Sequence, residues 1–284
     1  MSFCSPLRYP GGKNKLAKFI ALICKENNIT GHYVEPYAGG AAVAIYLLLN
    51  GYVSEISIND VDRSIYAFWY SILNHTTKFC NQIRKTEVSI ENWHKYRNIQ
   101  DSKKTASLFD LGFSTFFQNR TNMSGIIAGG VIGGLDQKGK YKLNCRFNKD
   151  ELIRRIKEIA KHKRDIHLYN LDALELIKTL KKQPGCSQTI FYLDPPYYLK
   201  GKSLYVNYYE HKDHEKMSRV VKGMKNFKWV VSYDNTKEIK KMYKPYKKKE
   251  YSFFHMAHKP KQGLEVLFFS KNLIVPRIVE PTKV

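Results

Sequence analysis

An α/β fold is the class this sequence predicts: a Rossmann-like open sheet, interrupted once by an inserted, mostly helical domain carrying a hairpin. Three observations predict it. Tyr33 to Asp60 reads strand, glycine turn, apolar helix, strand and acid, which is one βαβ unit. Thr189 to Leu193 reads as a buried strand that stops at Asp194-Pro195-Pro196-Tyr197, because neither proline has an N–H for a sheet ladder. Between them, from about Asn74 to Ile159, the alternation breaks, and it resumes at Asp165.

Composition narrows the function before any motif is considered. A chain of 284 residues with 43% hydrophobic content can bury one large α/β core with an insertion. The 48 Lys and Arg outnumber 25 Asp and Glu, a formal charge of +23 that favours a polyanionic partner, nucleic acid above all. Cys4, Cys24, Cys80, Cys145 and Cys186 are odd in number and too scattered for a disulfide scaffold or a structural zinc, so no metal is expected. Arg8, Lys13, Lys15 and Lys18 between short apolar pieces do not read as a signal peptide. The longest apolar run, Ala41 to Leu49, is far short of a membrane span, so a cytoplasmic setting and no membrane partner are expected.

Taken in order, Tyr9-Pro10-Gly11-Gly12-Lys13 is a tight turn that brings an aromatic ring, backbone N–H groups and Lys13 together, suited to an anionic or amphoteric ligand. It lacks the spacing of a P-loop. Lys15 to Cys24 follows as a helix. Glu35-Pro36-Tyr37-Ala38-Gly39-Gly40 ends the next strand, and its small residues let backbone approach a ligand closely. Asp60 ends the strand Tyr52 to Ile58 about 20 residues on, where an acid takes both hydroxyls of a ribose. No G-x-G-x-x-G is present, and Glu35 would repel a pyrophosphate. S-adenosylmethionine, with ribose hydroxyls, adenine and a zwitterionic tail, fits better than a nicotinamide cofactor. Asp62 to Asn74 is a helix with Ile65, Phe68, Trp69 and Ile72 inward.

In the insertion, Thr86 to Tyr96 and Thr105 to Phe116 read as helices, with Phe109, Phe113, Phe116 and Phe117 as core. Ile126 to Leu143 reads as a glycine-rich hairpin or paired loops. Arg120, Asn122, Gln137, Lys138, Lys140, Lys142 and Arg146 supply the residue types that clamp phosphates and read base edges. Asn148 to Lys163 is a basic helix. Asp165 to Tyr169 is then a strand, and Asp172 after it is either an acceptor for an adenine amino group or an N-cap. Asp194 stands at the carboxyl end of a buried strand, where open α/β sheets place ligands, and Tyr197 offers a flat ring beside it. A polar, aromatic loop carries Lys200, Lys202, Tyr205, Asn207, Tyr208 and Tyr209. Phe227 to Ser232 is a strand running into Tyr233-Asp234-Asn235. Lys248 to Phe254 and Leu264 to Ser270 read as an antiparallel pair.

Together these pieces resemble the Dam-like, D12 class of adenine-specific DNA methyltransferases over nearly the whole chain. Tyr9-Pro10-Gly11-Gly12-Lys13, then Glu35-Pro36-Tyr37-Ala38-Gly39-Gly40, then Asp194-Pro195-Pro196-Tyr197 follow the alpha arrangement. Gly40 and Tyr9 depart from the enterobacterial pattern, and the hairpin diverges. The resemblance implies a class I S-adenosylmethionine-dependent methyltransferase fold with a seven-stranded mixed sheet. It divides the chain into a cofactor-binding segment (residues 1–73), a target-recognition insertion (residues 74–160), a catalytic segment (residues 161–275) and a tail (residues 276–284). It implies that the cofactor lies against Tyr9, Gly11, Gly12, Lys13, Glu35, Pro36, Tyr37, Gly39, Gly40, Asp60, Asp172 and Asp194. Asp194, Pro195, Pro196 and Tyr197 would be catalytic, acting on an adenine flipped out of double-stranded DNA. A separate restriction endonuclease and monomeric action are compatible with it. Transfer to cytosine N4, RNA or a protein amide, or a catalytically silent DNA-binding relative, are the alternatives.

Overall fold

The computed structural model describes residues 5–8, 13–182, 186–199, 209–255 and 261–284. The expectations for Tyr9, Gly11 and Gly12, and for the loop from Lys200 to Tyr208, lie outside them. The chain divides into two compact units, one of Lys13–Asp60 with Leu171–Val284, the other of Met1–Gly12 with Val61–Asn170.

A short 3-10 turn, Lys13–Leu16, leads into α1 (Ala17–Glu26), whose Phe19, Ile20 and Ile23 are buried. β1 (His32–Glu35), α2 (Ala42–Leu49) and β2 (Glu55–Asn59) complete the expected βαβ unit. Asp62 caps α3 (Arg63–Asn74) by accepting the Ser64 N–H. α4 (Thr76–Lys85) follows at once, a helix not anticipated from the sequence, with Phe79, Cys80 and Ile83 buried on one face. Thr86, expected to begin a helix, instead closes α4, and Ser89 caps α5 (Ile90–Asp101).

α6 runs from Leu108 to Thr121, and α7 from Lys149 to Lys161 with Asn148 as its cap. α6 presses against α3 at Gly112, where a Cβ would stand 2.3 Å from the Ala67 carbonyl oxygen, so a side chain there would force the helices apart. Phe68, Phe79, Phe113, Phe116 and Phe147 pack ring to ring as the core of this unit. β3 (Ile166–Tyr169) closes it.

α8 (Ala173–Leu180), β4 (Thr189–Leu193), α9 (His211–Lys222), β5 (Lys228–Asp234) and α10 (Lys237–Met242) return the chain to alternation. β6 (Lys247–His255) and β7 (Lys261–Phe269) form the expected antiparallel pair. The seven-stranded sheet has the order β3-β2-β1-β4-β5-β7-β6. β1 is parallel to β2 and β4, β4 to β5, and β7 enters antiparallel to β5. The parallel strands therefore end on one edge, where the Gly-rich turn after β1 and the prolines after β4 emerge. That edge is where such sheets hold ligands.

Candidate active site

Every residue of β4 is buried, as its uninterrupted apolar run requires, and the strand delivers Asp194 with 22% of its side chain exposed. Parallel pairing of Leu193 with Val231 brings Ser232 of β5 alongside, and its hydroxyl donates to Asp194 Oδ1 at 2.6 Å. Lys13 Nζ lies 3.2 Å from the same oxygen. Burial pushes the Asp194 carboxyl above the usual aspartate value, Lys13 pulls it down, and Glu265 pushes it up again. Pro195 is buried and Pro196 half-buried.

Lys13, expected to serve a ligand through the N-terminal turn, is instead tied into the protein. Its side chain is 3% exposed and spans two carboxylates, Asp194 and Glu265, the latter at 3.4 Å. Burial works against its charge, yet Asp194 and Glu265 hold its pKa well above the usual lysine value. Glu265, on β7, also accepts the hydroxyls of Tyr197 and Tyr251. Lys13 Nζ donates to the Tyr197 oxygen at 2.9 Å and sits 5.0 Å from the ring centre. Tyr197 is 2% exposed, so the flat ring expected beside the carboxylate is covered on the protein side rather than displayed. Asp234, at the end of β5, accepts the N–H groups of Tyr198 and Leu199 at 2.8 and 2.9 Å and so fixes the chain just beyond the prolines.

At the end of β1, Glu35 is 4% exposed. Burial raises its pKa to about 8, although the Tyr33 hydroxyl, 3.2 Å from Oε1, favours the ionised form. Glu35 Oε2 has no hydrogen-bond partner among the described residues. Gly39, at a φ of +45°, and Ala41, at the same φ, bend the turn into the left-handed region before α2. Gly39 donates its N–H to Asp60 Oδ2 at 3.0 Å. Pro36 and Gly40 are buried, and the Tyr37 hydroxyl pairs with that of Tyr209 at 2.8 Å. Asp172 is the N-cap of α8, with Oδ1 2.9 Å from the Leu174 N–H.

A residue that no motif singles out holds these ends together. Asn59, 1% exposed, donates to the Pro36 and Leu171 carbonyls and accepts the Leu171 N–H. Glu35, Asp60 and Asp172 therefore project from three chain segments tied by one amide. A buried carboxylate oxygen without a partner among the described residues, beside a turn of small residues and two further acids, is the set of acceptors that an ammonium group and ribose hydroxyls require. The residues present thus fit S-adenosylmethionine.

The other unit carries the residues expected to face nucleic acid, and it sorts them. Arg120 lies in the last turn of α6, 8% exposed, with Nε and Nη2 donating to the Pro6 carbonyl. Burial, with Arg155, Arg8 and Arg146 nearby, lowers its pKa to about 9. Asn122 is fully buried: it accepts the Trp93 indole N–H at 2.7 Å and donates to the Ile126 and Ile127 carbonyls. Gln137 folds back onto the Ile132 carbonyl and the Leu143 N–H. Of the two forms expected for Ile126 to Leu143, the residues adopt paired loops, with Val131 bridged back to Asn122 and the Gly139 N–H donating to the Gly133 carbonyl. Lys138, Lys140, Lys142 and Arg146 are exposed, and Tyr141, which carries no charge to mark it in the sequence, stands among them 58% exposed.

Sheet order and site together define a class I S-adenosylmethionine-dependent methyltransferase fold. The family model of the D12 class N6 adenine-specific DNA methyltransferases matches residues 9–256, and the chain belongs to that family. It is thus an enzyme of the adenine-specific DNA methyltransferase class, whose members use S-adenosylmethionine. No curated protein matches the chain. No described helix is long and apolar enough to cross a membrane.

Proposed function

We propose that this chain flips a single adenine out of double-stranded DNA at a short sequence and methylates its N6 directly, with Asp194 as the central catalytic group. The observation that carries this reading is Asp194 itself, a carboxylate at the carboxyl end of β4, partly exposed and anchored through one oxygen by Ser232 and Lys13. Adenine N6 is a poor nucleophile because its lone pair is delocalised into the ring. Two acceptors aimed at its two hydrogens favour a tetrahedral nitrogen and stabilise the positive charge that develops on attack. Asp194 is one, and the Pro195 carbonyl, held in place by the stiff Pro195-Pro196 turn, is the other. S-adenosylmethionine supplies a methyl group whose carbon–sulfur bond breaks as N6 attacks. One N6 proton then leaves to solvent. Neither a covalent enzyme intermediate nor a metal is part of this reading.

Glu35, Gly39, Gly40, Asp60 and Asp172 hold the cofactor, the first on its ammonium group and the next acids on ribose and adenine. In this reading Tyr197 positions Lys13 and Asp194 through its hydroxyl. Residues 74–160 form the target-recognition region, with Lys138, Lys140, Tyr141, Lys142 and Arg146 on the DNA and Arg120, Asn122 and Gln137 shaping the loops. Flipping costs a few kcal/mol, which stacking and backbone contacts offset. The enzyme acts as a monomer in the cytoplasm.

The test is transfer of labelled methyl from S-adenosylmethionine to unmethylated genomic DNA, followed by nucleoside analysis and site mapping. N6-methyladenine confined to one short sequence is the expected result. Label in cytosine, or label only in RNA or protein, would move the chain to the corresponding alternative.

A further inference from the structure

We infer that Glu265 is a positioning residue for methyl transfer, sharing the Lys13 ammonium with Asp194 so that this ammonium does not offset the negative charge that Asp194 presents to the adenine. The inference rests on the proposed role of Asp194 and adds to it a residue on a different strand.

The argument is one of charge in a confined space. Lys13 Nζ touches Asp194 Oδ1 at 3.2 Å and Glu265 Oε2 at 3.4 Å. The Lys13 and Glu265 side chains are 3% and 1% exposed, so water screens them little. A lone ammonium beside Asp194 would oppose catalysis, because the reacting N6 becomes positive as the bond to carbon forms. A second carboxylate on the same ammonium cancels that effect. Glu265 is held for the task from both sides, by the hydroxyls of Tyr197 and Tyr251. Antiparallel pairing fixes the register: Glu265 stands opposite Asp234 of β5 on one side and Tyr251 of β6 on the other. Burying a glutamate at 1% exposure is costly to the fold unless it is paired, and Lys13, Tyr197 and Tyr251 supply that pairing.

The groups that face Asp194 electrostatically are Lys13, Glu35 of β1, Tyr192 of β4, Tyr233 of β5 and Glu265 of β7, with Tyr251 of β6 hydrogen-bonded to Glu265. Among them Lys13 favours the ionised Asp194 and Glu265 disfavours it. Removing the Glu265 charge therefore lowers the pH at which Asp194 becomes ionised, while leaving the ammonium uncompensated.

The experiment measures the single-turnover rate of N6-methyladenine formation against pH, at saturating DNA and S-adenosylmethionine. Glu265→Gln is expected to slow the plateau rate about tenfold, to leave KM for both substrates within about twofold, and to move the acid limb to lower pH. Tyr251→Phe keeps the charge and removes one donor; its acid limb stays in place and its rate falls by no more than about threefold. The double variant Lys13→Gln/Glu265→Gln buries no unpaired charge; it is expected to be faster than Glu265→Gln alone, with its acid limb above that of the wild type. If Glu265→Gln melts below the assay temperature, the acid limb of the double variant carries the test. An unmoved acid limb in Glu265→Gln, or a double variant whose acid limb does not rise, overturns the inference. Wild-type enzyme that forms no N6-methyladenine overturns the reading of Asp194 on which it rests.

Discussion

The strand end at Asp194 and the loops from Ile126 to Arg146 both concentrate charge, and they do so in opposite ways. At the strand end, Lys13, Asp194 and Glu265 share a nearly dry cluster in which Glu265 and Asp194 raise the pKa of Lys13, and Lys13 and Glu265 act in opposite directions on Asp194. In the loops, Lys138, Lys140, Lys142 and Arg146 stand in solvent. Buried charge is expensive to leave unpaired and acts strongly at short range; exposed charge is cheap, screened and additive. The first arrangement suits chemistry on one atom, and the second suits a polyanion that must be gripped and released.

Four substitutions would break or sharpen this contrast, beginning with the largest effect. Asp194→Ala is expected to lower turnover by about a thousandfold or more, with cofactor affinity, read by calorimetry, largely retained. Near-normal methylation would remove the chemistry from this strand end. Next comes Glu35, whose folded pKa of about 8 lies above its ordinary value. A carboxyl raised in this way stabilises the fold at low pH, and the contribution is lost as pH rises from the ordinary glutamate range through about 8. Cofactor-free wild-type protein should therefore lose melting temperature relative to Glu35→Gln across that window, and parallel melting curves would contradict the burial of a proton there.

Arg120→Ala should cost about 2 kcal/mol of stability, because it leaves the buried Pro6 carbonyl unpaired. Denaturant unfolding would measure it, and an unchanged midpoint would return Arg120 to the exposed set. The smallest effect is that of Lys140→Ala: stability within about 0.5 kcal/mol of wild type, weaker DNA binding, and a salt dependence reduced by about one counterion. An unaltered salt slope would take Lys140 off the DNA.

The family resemblance rests on three short segments in fixed order, and the described residues of those segments occupy the loops and turn that the strand ends require. Both exceptions in the insertion have physical causes. α4 puts Phe79, Cys80 and Ile83 on one face at helical spacing, but the signal is short, and His75 before it supplies no capping side chain to mark a helix start. Arg120 and Asn122 group with Lys138 and Lys140 by residue type, although α6 extends past Phe117 and carries Arg120 inside. Residue type says which contacts a side chain can make, but not whether protein or ligand makes them.

The alternation of strands and helices, the position of Asp194 after a buried strand, the acid some 20 residues beyond the glycine turn and the excess of positive charge were determined by the sequence alone. Each follows from local rules: periodicity, the missing N–H of proline, composition. The pairing of Lys13 with Asp194 and Glu265, the three-way tie at Asn59 and the clamp of Asp234 were decided by tertiary structure. Lys13 and Glu265 are 252 residues apart in the chain. Only strand order and register bring such residues to one sheet edge, and a pattern read along the chain carries no record of that pairing.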